Sequence, residues 1–315
     1  MKKLLILLGC LLSCAASATL NDGIKAFKKE KYQQALAEFR PLANIGNAEA
    51  RYYLGLMQKE GLGMPKDSGR AMAWFKKAAN QGHADANYQI GMMYLAGDGV
   101  ATDIVSAAEY LDAAAEQGQA QAQFELANLY WSGDKIPQNL PKAISWFEKA
   151  AAQGNTIAQF TLATAYHQGE GVTQDLASAT AFYQEAAKAG HAESQYVLGS
   201  MYFNGQPLEK DFKQAYGWFA KSALQGNMKS EYMLGYMFYQ GSGMKKNPAK
   251  AFEWFNKAAL QGYDEAQLIV GYMYFAGEGV KKNTKLAEDW VKKAVAQGNP
   301  KAQKTLDDIQ RSKGR

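Results

Sequence analysis

The stretch GHADANYQIGMMYLAGDGVATD, residues 82–103, contains a helix stop and a helix start, and together they decide the fold. Glycine adopts the left-handed conformation that ends a helix at little cost. Asp or Asn accepts the amide hydrogen bonds that a new helix leaves unsatisfied. The stretch therefore reads as helix A from about Ala84 to Ala96, a stop at Gly97, a loop over residues 98–102, and a helix B capped by Asp103 and ended by Gly118.

The same punctuation returns every 36 residues. One glycine series runs Gly46, Gly82, Gly118, Gly154, Gly190, Gly226, Gly262 and Gly298. A second runs Gly61, Gly97, Gly133, Gly169, Gly205, Gly241 and Gly277. A third series holds only Asp or Asn: Asp67, Asp103, Asn139, Asp175, Asp211, Asn247 and Asn283. Self-similarity at a fixed period of this length is the signature of a stacked helical array. The second and third series are read as the C-caps of helix A and the N-caps of helix B.

Apolar positions keep the same step. Leu54, Ile90, Leu126, Leu162, Leu198, Leu234 and Val270 mark helix A, and Trp74, Tyr110, Trp146, Phe182, Trp218, Trp254 and Trp290 mark helix B. Small residues recur where helices must approach closely, from Ala71 to Ala287 in helix B and from Gly55 to Gly271 in helix A. A larger side chain there forces its neighbours apart.

These loop glycines, small residues and aromatics, as in Gly82 to Val100, resemble the Sel-one-like repeat family, a branch of the tetratricopeptide-type superhelices. The resemblance covers almost the whole mature chain. It implies an all-α, right-handed superhelical solenoid of antiparallel helix pairs. The organisation is read as a signal at 1–18, an N-terminal capping helix pair at 19–45, seven repeats over 46–297, and a C-terminal capping helix and tail at 298–315. The repeats occupy 46–81, 82–117, 118–153, 154–189, 190–225, 226–261 and 262–297. Lys135 and Pro207 replace the second loop glycine in two of them, which leaves the geometry of those loops open. Beyond Gly298, Ala302 and Leu306 keep the helix A register among polar neighbours, as a terminal helix with no partner to cover it requires.

The N-terminus carries the three parts of an export signal: Lys2 and Lys3, an apolar run from Leu4 to Leu12, and Ala16-Ser17-Ala18. Cleavage is expected after Ala18, giving a periplasmic or secreted protein. The run is too short for a bilayer-spanning helix, so no transmembrane segment is expected. Leu11-Leu12-Ser13-Cys14 loosely resembles a lipobox, which makes an outer-membrane lipoprotein anchored through Cys14 the alternative. Loss of Lys2 and Lys3 from 35 basic residues leaves 33 against 30 acidic ones, a net charge of +3. Spread without like-charge runs, that balance gives no nucleic-acid footprint. The basic residues Lys301, Lys304, Arg311, Lys313 and Arg315 read as a solvated helix face and tail.

Both cysteines, Cys10 and Cys14, lie in the signal, so the mature chain has no thiol for disulfides, metals or nucleophilic chemistry. No cofactor is expected. His83 and His191 share the slot that opens helix A, held elsewhere by Asn47, Gln119, Asn155, Asn227, Tyr263 and Asn299, and read as polar helix starts. Loops such as Gly97-Asp98-Gly99 lack the strand and the Lys-Ser/Thr ending of a phosphate cradle, and lack the alternating ligands that calcium needs. Disulfide-rich members of the family are linked to penicillin binding and β-lactam hydrolysis, but they carry a cysteine pair in each repeat. That β-lactamase-like hydrolase activity is therefore not carried over, and an enzyme is not expected.

Where packing fixes a position, repeats look alike; where it does not, they differ. Positions 85, 89, 92 and 96 of the second repeat and their equivalents form one such variable face of helix A. The face is polar in the third and fourth repeats, with Glu125, Asn128, Ser132, Thr161, Thr164 and Gln168. It turns apolar toward the C-terminus, where it holds Val197 and Ser200, then Met233, Tyr236 and Gln240, then Ile269 and Tyr272. Along the concave face of a solenoid, such a stripe is how a protein-binding groove looks before its partner arrives. The expected function is an exported scaffold binding a protein partner in the bacterial envelope or on a host. Stacking of the aromatic residues on cell-wall or surface polysaccharide is the alternative, and burial of the stripe by adjacent coils or a second copy is the structural one.

Overall fold

A computed structural model describes residues 20–313. The export signal, Cys10, Cys14 with its lipid-anchor reading, and Arg315 lie outside the described residues. Within them every regular element is helical, and no helix is long and apolar enough to cross a membrane. The chain divides into two compact units, one up to Ala158 and one from Gln159.

The first unit holds α1 (residues 20–28), α2 (Tyr32–Asn44), α3 (Ala48–Glu60), α4 (Ser68–Ala79), α5 (Ala84–Ala96), α6 (Ile104–Glu116), α7 (Ala120–Ser132) and α8 (Leu140–Ala152). The α9 helix (Thr156–Gln168) begins just before the division. The second unit continues with α10 (Leu176–Lys188), α11 (Ala192–Asn204), α12 (Phe212–Ala223), α13 (Met228–Gln240), α14 (Pro248–Leu260), α15 (Asp264–Ala276), α16 (Thr284–Ala296) and α17 (Ala302–Lys313). In each unit successive helices pack as antiparallel pairs, α3 with α4 or α13 with α14, and each pair stacks on the next. This is an all-α helical-repeat solenoid.

The punctuation residues act at both ends of the loop between paired helices. Gly61, Gly97, Gly133, Gly205, Gly241 and Gly277 are left-handed C-caps, and Gly169 has the same positive φ. Each of the seven Asp or Asn residues accepts a backbone amide of the first turn of helix B, as Asn139 does from Lys142 at 3.0 Å. Its own amide also donates back to a carbonyl near the end of helix A, Asp103 to Tyr94 at 3.2 Å and Asn247 to Phe238 at 2.9 Å. One short polar residue thus starts helix B and fixes its position against helix A.

The second loop glycine serves packing. A Cβ on Gly99, whose φ is +71°, would lie 2.5 Å from the backbone of Ser68 in the preceding repeat. Lys135 and Pro207 do not take the left-handed conformation at that place, so those two loops are built differently, and the Gln206–Pro207 peptide is cis. The C-cap of helix B is the residue before the glycine in five repeats and lies two residues before it in α4 and α12. In α6 the C-cap is Gln117, and Gly118 follows with φ +84°.

The core is a file of side chains repeated along each unit. Phe39, Phe75, Leu111 and Phe147 in the first, and Tyr183, Phe219, Phe255 and Val291 in the second, are buried at the 36-residue step. They lie against the small residues of helix A, where a Cβ on Gly199 would come within 2.7 Å of the Phe219 ring. The tryptophan row is different: Trp74, Trp218, Trp254 and Trp290 are only half-buried, and Trp146 is buried. Each carries the lysine three residues later over its ring, from 3.7 Å for Lys149 on Trp146 to 4.6 Å for Lys77 on Trp74. These rings therefore both pack on the core and seat a lysine ammonium.

A ladder of amides ties neighbouring pairs together. Gln123, Gln195 and Gln267 each donate to the carbonyl eight residues back, on Ala115, Ala187 and Ala259, at 3.0 to 3.2 Å. Each also accepts from the glutamine thirty residues ahead, Gln153, Gln225 and Gln297, at 2.8 to 2.9 Å. Glu231 stands in the same slot of the sixth repeat and keeps only the second bond, from Gln261 at 2.7 Å.

Candidate protein-binding groove

The C-terminal three helices of the A type, α13, α15 and α17, present one face each to a common hollow of about 430 Å³. Helical spacing puts Tyr232, Tyr236 and Tyr239 on one side of α13, and Leu268, Ile269 and Tyr272 on one side of α15. Lys301 and Thr305 close it from the start of α17, and Phe255, fully buried on α14, forms part of its wall. A second hollow of about 360 Å³ adjoins it. It shares Tyr232, Leu268, Ile269 and Lys301 with the first and adds Glu265, Asn299 and Pro300. Volumes of this size are those of ordinary ligand sites, large enough for side chains of a partner segment.

The tyrosines differ in how they are held. Tyr232 packs on Phe255 and Tyr263 with ring centroids 5.4 and 5.2 Å apart. Burial, then the charge of Glu265, holds its phenol above the usual range. The Tyr239 hydroxyl donates to Glu278 at 3.0 Å; burial first and that bond second raise its pKa. Tyr263 is pushed up to about 12, again by burial first and Glu265 second. These phenols stay neutral at physiological pH, offering apolar rings and hydroxyl hydrogen bonds. Tyr272 is 47% exposed, the most open aromatic face of the hollow.

The structure gathers part of the variable stripe and disperses the rest. Tyr236, Gln240, Ile269 and Tyr272 line the hollow. Val197 instead packs beside Leu198 and Tyr183, Met233 beside Phe219 and Met237, and the Ser200 hydroxyl donates to the Tyr196 carbonyl of its own helix at 3.0 Å. None of the stripe is fully buried, and Tyr236 and Ile269 also contact the core beneath them. Tyr232, Tyr239, Lys301 and Thr305 are residues that the stripe reading passed over. Lys301 and Thr305 stand 36 residues after Glu265 and Ile269, so the capping helix continues the face. Lys301 is exposed, as expected of a solvated face, and also borders the hollow.

His83 and His191 serve as helix caps. The Nδ1 atoms of His83 and His191 accept the amides of Ala86 and Ser194 at 3.2 and 3.3 Å. Burial holds the His191 imidazole below its usual pKa, keeping that acceptor free of a proton. Among the described residues, no three His, Cys, Asp or Glu side chains are grouped to hold a metal.

The pattern of the Sel1 repeat matches seven consecutive segments, 48–83, 84–119, 120–155, 156–191, 192–227, 229–263 and 264–299. The chain belongs to the Sel1 repeat family. A protective antigen of uropathogenic Escherichia coli strains, which displays an SLR fold, shares 35% identity over 93% of this chain with a TM-score of 0.88. The chain spans 64% of that antigen's length. A Sel1 repeat protein from Oxalobacter formigenes shares 30% identity over 93% of this chain and 87% of its own, with a TM-score of 0.67. No similar curated protein was found. In this chain each matched Sel1 segment except the sixth starts on the first residue of a helix A, two residues after the glycine that opens it.

Proposed function

We propose that this Sel1 repeat protein is an exported, non-catalytic adaptor that holds a segment of a partner protein in the groove of α13, α15 and α17. The observation that carries the reading is the tyrosine- and isoleucine-lined hollow beside the half-exposed Tyr272, on a fold whose repeats typically serve protein–protein interaction. An exposed apolar concavity costs solubility unless something occupies it, and tyrosine gives much contact area with little entropy to lose. Export to the envelope is supported by the basic, apolar and small-residue order of residues 1–18. The adaptor would work there by bringing its partner to whatever else the remaining repeats hold.

The test is retention of the partner from native envelope by purified protein and by a variant carrying Tyr236→Ser, Ile269→Ser and Tyr272→Ser. Loss of one discrete partner, with helical content unchanged, is the expected result. Equal retention by the two proteins removes the groove as the site.

A further inference from the structure

Position 85 of the repeat forms a column in which acid and base alternate near the C-terminus: Glu193, Lys229, Glu265 and Lys301, each 36 residues after the last. The first two close on each other. Lys229 Nζ lies 2.9 Å from Glu193 Oε1, and that hydrogen bond raises the lysine pKa. The same juxtaposition two repeats later, Glu265 with Lys301, stays open. No ion pair joins Glu265 to Lys301; Asn299 donates to the adjacent Asp264 at 2.8 Å, and the Asp264 carboxyl, then burial, holds Glu265 above its usual pKa. Lys301 Nζ has no ion-pair or hydrogen-bond partner among the described residues. The nearest acids of its own helix are engaged elsewhere, Asp307 with Gln303 and Asp308 with Arg311.

The gap between the unjoined pair is the second hollow, and Lys301 borders both hollows. It is also the only ionic side chain among the residues lining the tyrosine pocket. An unpaired ammonium beside an aromatic concavity is complementary to a carboxylate carried next to an apolar side chain. Resting on the groove reading above, we propose that the partner segment pairs an acidic residue with an adjacent aromatic or aliphatic one. The apolar side chain fills the pocket of Tyr236, Ile269 and Tyr272, and the carboxylate takes at Lys301 the place that Glu193 takes at Lys229. The closed pair upstream shows the reach and geometry such a contact needs, and the ammonium of Lys301, joined to no acid among the described residues, leaves that position vacant for an incoming anion.

The experiment selects binders from a randomised short-peptide display library on the wild-type chain, on Lys301→Glu, and on Tyr236→Ser with Tyr272→Ser. Wild type is expected to enrich Asp or Glu beside Phe, Tyr, Leu or Ile. Lys301→Glu should enrich Lys or Arg at that place and bind the wild-type peptides about tenfold more weakly, equal to about 1.4 kcal/mol. The wild-type preference should fade as salt rises. Apolar peptides enriched without regard to charge, and unchanged by Lys301→Glu, overturn the charge assignment while leaving the groove standing. Peptides that bind equally well after the tyrosine substitutions, or no enrichment on wild type, overturn the groove reading itself and this proposal with it.

Discussion

Replacing Glu231 with glutamine is expected to stabilise the protein at neutral pH, and to do so less as the pH falls. In three other repeats the equivalent glutamine offers an N–H to the carbonyl eight residues back, at 3.0 to 3.2 Å. Glu231 is 6% exposed and has no N–H to offer to the Ala223 carbonyl, the counterpart in its own repeat. That carbonyl already receives the Gly226 amide at 2.9 Å, so the missing bond is to its second lone pair. The gain on supplying it is therefore that of one ordinary buried hydrogen bond, about 1 kcal/mol, and not the larger penalty of an orphaned group. Burial raises the Glu231 pKa, the Gln261 hydrogen bond and the charge of Lys257 opposing it. For a carboxyl raised on folding, stability is full below the unfolded-state value and is lost as the pH rises through the folded one. Wild type should thus lose stability on going from about pH 4 to 7 through this group, and Glu231→Gln should not. Thermal unfolding followed by circular dichroism at both pH values reads the difference. A variant that is no more stable than wild type at pH 7, or that gains equally at pH 4, refutes the reasoning.

Phe219→Ala removes a fully buried ring lying against Gly199 and should cost about 3–5 kcal/mol in denaturant unfolding. Asn139→Ala deletes the side-chain cap of α8 and leaves the backbone bond to Tyr130 at 2.9 Å in place, so hydrogen exchange in the first turn of α8 should rise at a cost of about 1 kcal/mol. His191 has a folded pKa below its unfolded one, so its contribution is full above the unfolded value and is lost as the pH falls through the folded one. His191→Asn, which supplies the capping group found at Asn227, should keep α11 intact on acidification where wild type frays, as read by exchange at Ser194.

The sequence carries the fold in unusual detail because the constraint repeats: the backbone turn at Gly97 and the cap at Asp103 leave the same chemical mark seven times. The groove was legible only in part. Variation within the repeat pointed to Tyr236, Gln240, Ile269 and Tyr272, but the same signal included Val197 and Met233, which pack on the core instead. Helix spacing tells which face a residue occupies and not what surrounds it: Val197, Met233, Tyr236 and Ile269 are all half-buried against the core, and the last two also border the hollow. Tyr232 and Tyr239 were passed over because their columns are aromatic or apolar in most repeats and look like packing. Lys301 was passed over because the polar character of α17 reads as a solvated cap, although its register with Glu265 is plain once the 36-residue count is carried past Gly298. The second role of the tryptophan row, as a seat for lysines, required the third dimension, since an i to i+3 Trp–Lys pair is ordinary on any helix surface.

The most direct test of the central claim is site-specific photo-crosslinking in the native envelope, with a benzophenone amino acid at Tyr272 in the groove and, as a control, at the exposed Lys285 on α16. A discrete adduct from position 272, absent from 285 and weakened when Lys301 is changed to Glu, is the predicted result. Equal crosslinking from both positions, or none from 272 in cells that hold the folded protein, contradicts the account.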